Sequence, residues 1–235
     1  MAPQPFQVAI DGPVAVGKST IARILAQRLG FLYVDTGAMY RATGLLTTRE
    51  SVDPEDEEAV AKLLHQHNIS LATPQGTKDD GRSITVYLDD EDVSWAIRTD
   101  EVSSAASKVA QHKKVREQLV EQQQLLASRN NVVMEGRDIT YRVLPNAQLK
   151  IYLTASEDQR ANWRHTEQLL RGSDVSFEDV KKDLTERDYR DMNRDVDPLQ
   201  VTPDAWEFDR SDFDLEQAID KIEEKARELW LANEK

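Results

Sequence analysis

Apolar positions along the chain switch between two periods. Phe6, Val8 and Ile10 alternate, as a strand over about 6–11 requires, and Ile21, Ile24, Leu25 and Leu29 then recur at helical spacing over about 18–29. Gly30 stops that helix in the manner of a C′ glycine. Phe31 to Val34 form a second short apolar run, closed by Asp35-Thr36-Gly37 and followed by a helix carrying Met39, Ala42, Leu45 and Leu46. Asp53 reads as the N-cap of the next helix, with Pro54 at its first position and Val60, Leu63 and Leu64 on the buried face. From 69 to 95 the period becomes two: Ile69 and Leu71, then Ile84, Val86 and Leu88, with turn signals at Pro74, Gly76 and Asp80-Gly81 between them. That predicts a small antiparallel hairpin insert.

Helices return at about 100–110, capped by Thr99, and at 113–128, ended by Asn130-Asn131. Val132 to Glu135 and Gln148 to Leu153 read as strands, Ser156 caps a charged helix ending near Gly172, and Ser176 caps one running to about Asn193. Ala205 to Phe208 is the last strand, and Leu215, Ala218, Ile219, Ile222, Ala226 and Leu229 mark an amphipathic C-terminal helix. Strands alternating with helices predict an α/β fold with a parallel sheet flanked by helices.

Bulk properties narrow the function classes. The 235 residues suit one α/β domain with insertions and suffice for a full core. There is no cysteine, so neither a disulfide framework nor thiolate chemistry is available, which agrees with a cytoplasmic location. No run of about 20 apolar residues predicts a membrane span, and Met1 to Pro5 lack the features of a signal peptide. A formal net charge of −13 argues against a nucleic-acid surface, which needs clustered positive charge. A small phosphorylated ligand needs only a local arginine pocket.

The candidate chemistry starts where the first strand meets the first helix. Gly12-Pro13-Val14-Ala15-Val16-Gly17-Lys18-Ser19 fits G-x-x-x-x-G-K-[ST], with Thr20 following. Backbone N–H groups of such a loop and of the helix N-terminus point at an anion, and the helix dipole adds favourable potential. Lys18 would reach the β- and γ-phosphates of a nucleoside triphosphate, and the Ser19 hydroxyl would sit on Mg²⁺. Open parallel sheets bind ligands at the carboxyl ends of their strands, and two further ends carry polar clusters: Asp35-Thr36-Gly37 and Glu135-Gly136-Arg137-Asp138.

Several arginines could meet a second phosphate. Arg41 lies one turn into the helix after Gly37, and Arg137 follows a strand. Arg160 and Arg164 stand four apart, and Arg187, Asp191 and Arg194 fall at i, i+4 and i+7, on one helix stripe. The bland alternative for each is a solvated helix face. The D-x-x-G and N-K-x-D motifs of GTPase switches and the H-R-D and D-F-G motifs of protein kinases are absent from the sequence. A general base is not obvious, and a phosphate acceptor, already an anionic nucleophile, needs none. Catalysis then reduces to alignment, Mg²⁺ and positive charge over the transferring group, which fits a nucleoside monophosphate kinase. A nucleotide-binding switch, another small-substrate P-loop kinase and a nucleic-acid-binding module are the competing readings.

Residues over nearly the whole chain, in order, resemble bacterial cytidylate kinases: Ile10-Asp11-Gly12-Pro13 with Gly17-Lys18-Ser19-Thr20, Asp35 to Arg41, Ile97-Arg98-Thr99 with Val102 and Ala105-Ala106-Ser107, Val115-Arg116, Gly136-Arg137-Asp138, and Glu186-Arg187-Asp188 through Arg194. The resemblance implies the P-loop monophosphate-kinase fold over 1–235, with an NMP-binding region at about 38–111, its β insert at about 69–95, and a short helical LID at about 156–173. It implies transfer of a phosphoryl group from ATP to CMP or dCMP with Mg²⁺, by a cytoplasmic monomer. It implies that Gly12 to Thr20 bind ATP, and that Thr36, Arg41, Arg137 and Arg194 hold the acceptor phosphate. Arg187 and Asp191 would contact the sugar, and Ser107, Arg116 and Asp138 the base. Lys18, Arg160, Arg164 and Arg187 would act on the transferring phosphoryl group, the middle two as LID arginines. Two stretches depart from the family pattern: Ile139-Thr140-Tyr141-Arg142 replaces a common Ile-Gly-Thr, and Asp209-Arg210-Ser211-Asp212 replaces an Asp-Ser/Thr-Thr run. The first departure raises the prospect of Arg142 at the phosphate pocket or on the surface.

Overall fold

The computed structural model describes residues 4–72, 74, 82 and 84–233. Strand β1 (Gln7–Asp11) lies at the centre of a five-stranded sheet, hydrogen-bonded in parallel to β6 (Val132–Gly136) on one side and β7 (Leu149–Thr154) on the other. Strand β2 (Leu32–Asp35) extends the sheet beyond β6, and β8 (Trp206–Asp209) extends it beyond β7, giving the order β2-β6-β1-β7-β8. Val8 to Asp11 are buried on both faces, which explains why β1 reads as a nearly continuous apolar run. In the register Asp11 pairs with Gly136 and Tyr152, so β1 and β6 end level while β7 runs on through Leu153 to Thr154.

Helices α1 (Lys18–Leu29), α2 (Thr36–Arg49) and α3 (Glu57–His65) precede a second, antiparallel sheet of β3 (Ile69–Ala72), β4 (Thr85–Leu88) and β5 (Glu91–Asp92). Helices α4 (Asp100–Val109) and α5 (Lys113–Arg129) follow, then a π-helical turn (Ile139–Val143) after β6. Helices α6 (Glu157–Leu170) and α7 (Phe177–Asn193) form a pair between β7 and β8, and α8 (Leu215–Asn233) closes the chain. Against α1, α8 brings Trp230 onto Phe31, ring centroids 4.7 Å apart, with Phe6 beside both.

Three sequence expectations need correction. The N-cap of α3 is Asp56, whose Oδ1 accepts from the Ala59 N–H; Asp53 instead accepts from the Glu55 N–H and opens the turn that leads into the helix. The insert has a third strand, β5, two residues long and acidic, which pairs Tyr87 with Asp92 and Leu88 with Glu91. Arg194 lies just past the end of α7 with an extended backbone (ψ 146°), because its guanidinium turns back to the carbonyl of Asp197. Of the predicted turn signals, Gly76 and Asp80-Gly81 fall outside the described residues.

Candidate active site

The loop between β1 and α1 is built tightly. Gly12 has φ +154°, and a Cβ there would lie 2.1 Å from the Leu153 carbonyl oxygen of β7. Gly17, at φ +87°, backs onto the Arg210 guanidinium, which donates to the Val16 carbonyl at 3.1 Å and stacks over Trp163 at 4.0 Å. Lys18 is buried with its Nζ donating to the Pro13 carbonyl at 2.7 Å. Burial, and then the neighbouring Arg137 charge, pull its pKa down to about 7, against the opposing pull of Glu135, Asp191 and Asp11.

Beside the loop, the Ser19 hydroxyl donates to Glu135 at 2.8 Å. Glu135 ends the apolar run of β6 and is buried; desolvation, helped by Asp35, raises its pKa. Thr36 is fixed to the same strand end, its hydroxyl donating to the Glu135 carbonyl at 2.8 Å. Asp35 caps α2 by accepting from the Ala38 N–H at 2.9 Å and holds Arg41 at 2.8 Å through its other oxygen.

A second group of charges stands across β6. Arg137 donates to Asp191 of α7 at 2.7 Å. Burial pushes the Asp191 pKa up, but Arg137, Arg194 and Lys18 outweigh it and hold the carboxyl below its ordinary value. Arg116, fully buried on α5, donates to both Asp138 and Asp197, and Arg194 stands 3.7 Å from the other oxygen of Asp138. Asp11 pins the turn that follows: its carboxylate accepts from the Ile139 N–H at 2.9 Å, the Thr140 N–H at 2.8 Å and the Thr140 hydroxyl at 2.7 Å. Burial, with some help from Asp138, raises the Asp11 pKa to about 6 against these hydrogen bonds. Three strand ends, those of β1, β2 and β6, thus bring the Gly12–Ser19 loop and an arginine–carboxylate group to one edge of the sheet.

The family model described as Cytidylate kinase matches residues 8–228. A cytidylate kinase of Bacillus subtilis (strain 168) is 44% identical over 226 residues, covering 94% of this chain and 98% of that protein. One of Geobacillus sp. (strain WCH70) is 44% identical over 223 residues, covering 95% and 97%, and one of Streptococcus sanguinis (strain SK36) is 43% identical over 224 residues, covering 95% and 97%. The chain belongs to the cytidylate kinase family.

Its α/β architecture, with a helix-flanked parallel sheet and a small antiparallel insert, is that of the monophosphate-kinase fold. In this cytidylate kinase family member the remaining expected site residues divide. Arg187, half-exposed, sits 3.7 Å from Asp183; burial lowers its pKa, and the Arg137 and Arg164 charges add to that. Ser107 is exposed on α4, its carbonyl accepting from Gln111. Arg164 is partly exposed and pairs with Glu167 at 2.9 Å. Arg160 turns the other way. It is buried, donates to the Val14 carbonyl at 2.9 Å, and pairs with Asp188 of α7, which itself accepts from the Val14 N–H at 2.8 Å. Around this link Ala161, Val180 and Leu184 form a small apolar cluster that receives Val14, Ala15, Val175 and Phe177. The α6–α7 pair is therefore docked on the loop. Arg142 is half-exposed and faces Asp197 at 3.7 Å.

Four carboxylates receive no role from the sequence: Asp11, Glu135 and Asp188 enter only as members of clusters or motifs, and Asp197 does not enter at all. Glu135 could have been singled out as the acid that ends an apolar strand beside the loop. The others carry no local signal, since their partners lie far away in sequence.

Proposed function

We propose that this chain transfers the γ-phosphoryl group of ATP to CMP or dCMP, giving ADP and CDP or dCDP, with the residues named above in the roles their neighbours support. The observation that carries this reading is the meeting of the Gly12–Thr20 loop with the Arg41, Arg137, Arg194 and Asp138 set at one sheet edge. The ATP phosphates bind the loop N–H groups, and Lys18 leaves the Pro13 carbonyl for the β- and γ-phosphates. Thr36, Arg41, Arg137 and Arg194 take the acceptor phosphate, which is itself the nucleophile, so no side chain has to remove a proton. Arg187 and Asp191 meet the sugar, and Arg164, with Arg187, adds positive charge over the phosphoryl group in flight. Arg160 acts from its place against Val14, keeping α6, in the proposed LID at about 156–173, closed on the loop so that water stays out.

The residues fit magnesium: a hard cation takes oxygen donors, and the Ser19 hydroxyl with the buried Glu135 carboxylate supplies them beside the loop. Magnesium keeps several waters and substrate phosphates in its shell, so few protein ligands are needed. When bound, the ion neutralises charge on the transferring phosphates. No helix among the described residues is long and apolar enough to cross a membrane. A cytoplasmic monomer is part of the proposal.

The base assignment is testable. A carboxylate has about four lone-pair sites, so Asp138 can accept from the cytosine amino group while still bound to Arg116, whose guanidinium faces the ring acceptors. Uracil presents a carbonyl there, leaving two acceptors opposed. Steady-state kinetics with CMP, dCMP, UMP and AMP are expected to rank the two cytidine nucleotides first. Asp138→Asn is expected to lower the CMP/UMP ratio of kcat/KM about tenfold or more. An unchanged ratio would remove Asp138 from base reading, and ATP hydrolysis indifferent to every acceptor would replace the kinase with a nucleotide switch.

A further inference from the structure

Asp197 lies outside every motif used so far, yet it joins the two arginines that matter most to the acceptor pocket. Among the described residues it is one of four non-glycine residues with positive φ, at +48°. An L-residue holds the left-handed region at a cost, and Asp or Asn tolerate it best, so an acidic residue kept there signals a constraint from its contacts. Those contacts are two-sided. The carboxylate Oδ2 accepts from the Nε of Arg116 at 3.0 Å, and the backbone carbonyl of the same residue accepts from the Nε of Arg194 at 2.7 Å. The left-handed turn lets one residue present both acceptors to the two guanidinium groups.

The consequence for Arg116 is complete anchoring. Its Nε goes to Asp197, one terminal nitrogen to Asp138 and the other to the Ala110 carbonyl at 3.2 Å, with the Tyr40 ring 5.6 Å beneath its guanidinium. Three fixed nitrogens allow one orientation of the plane. The loop bearing Asp197 is itself held on both sides: the Tyr141 hydroxyl donates to the Pro198 carbonyl at 2.7 Å, and the Leu199 N–H donates to the Asp191 carbonyl at 2.8 Å. Arg142, from the same π-turn as Tyr141, approaches the shared oxygen at 3.7 Å.

We propose that Asp197 is a positioning residue for the acceptor nucleotide, holding Arg116 through its carboxylate and Arg194 through its carbonyl so that both are preset before binding. This rests on the acceptor reading above. Preset donors spare the nucleotide the ordering of two long side chains, so the benefit falls on acceptor affinity rather than on the chemical step.

Asp197→Gly is the informative variant. Glycine keeps the left-handed backbone and the carbonyl to Arg194, and removes only the carboxylate. The expected result is a KM for CMP raised about tenfold with kcat within about twofold of the parent. Asp197→Asn retains an acceptor for Arg116 and tolerates the backbone, so it is expected to recover most of the lost affinity. An unchanged KM in Asp197→Gly, or equal KM values in the Gly and Asn variants, would overturn the proposal while leaving CMP as substrate. A parent enzyme that does not use CMP would overturn the acceptor reading itself, and this inference with it.

Discussion

Lys18→Met is expected to lower kcat by about 10²- to 10³-fold and, at the same time, to raise the melting temperature at neutral pH. The first effect follows from removing a donor aimed at charge that develops on the transferring phosphates. The second follows from the cost of the residue in the ligand-free protein: Lys18 is buried beside Arg137, and its pKa is brought down to about 7. A lysine whose folded-state pKa lies below its unfolded value penalises folding fully below pH 7. The penalty fades as pH rises from about 7 toward the ordinary 10.5, so the stability of the parent protein climbs across that window. The methionine variant is expected to lack this climb.

The same pKa makes ATP binding take up a proton. Bound phosphates favour the ammonium form, so above pH 7 the free protein must gain a proton to bind. ATP affinity is expected to fall by up to about tenfold per pH unit there, beyond the phosphate's own titration near pH 6. Calorimetry in buffers of different ionisation enthalpy reads the uptake directly, and none is expected for Lys18→Met.

Arg160→Ala is expected to cost about 3 to 5 kcal/mol, because it strands the Asp188 carboxylate in a buried site. Chemical denaturation measures that loss. The Arg160→Ala/Arg164→Ala double variant is expected to lower kcat far more than CMP affinity, since both residues belong to the closing segment and neither to the acceptor pocket. A collapse of CMP affinity with kcat retained would move them out of that role. Arg160→Met with Asp188→Leu separates the docking link from direct contact with phosphate. A hydrophobic pair of similar volume is expected to recover the stability. If kcat recovers with it, Arg160 works by docking; if kcat stays low, its charge is needed over the phosphates.

What could be read from the chain, and what could not, divides by sequence distance. The order of elements follows from local period and capping: Thr99, Ser156 and Ser176 cap the helices expected of them, and Gly30 ends α1 with a left-handed backbone. Strand β5 escaped because two acidic residues have no alternation to detect; it exists by pairing with β4. Asp53 and Asp56 are equivalent as cap signals, and only the turn geometry chooses between them. The P-loop and the G-R-D run were legible because they are contiguous. The contacts of Asp11 with Thr140, 129 positions away, and of Asp188 with Val14, 174 away, depend on the sheet order and leave no trace in either segment. Arg160 and Arg164 look alike on a helical wheel, and packing against Val14 and Ala15 sends them to opposite environments.

The ligand-free pocket already carries its own anions: Asp35 on Arg41, Asp191 on Arg137, and Asp138 with Asp197 on Arg116. A nucleotide therefore enters by exchange rather than by filling a positive hole. A stray inorganic anion gains little, since each arginine it reaches must first give up a partner no worse than itself. On the proposed reading a nucleoside monophosphate meets several at once: Arg137 exchanges Asp191 for phosphate and leaves that carboxylate to the sugar, while Asp138 stays on Arg116 and accepts from the base with its remaining lone pairs. If the proposed roles hold, selectivity for a whole nucleotide over a bare phosphate is set in the resting state, before any ligand arrives.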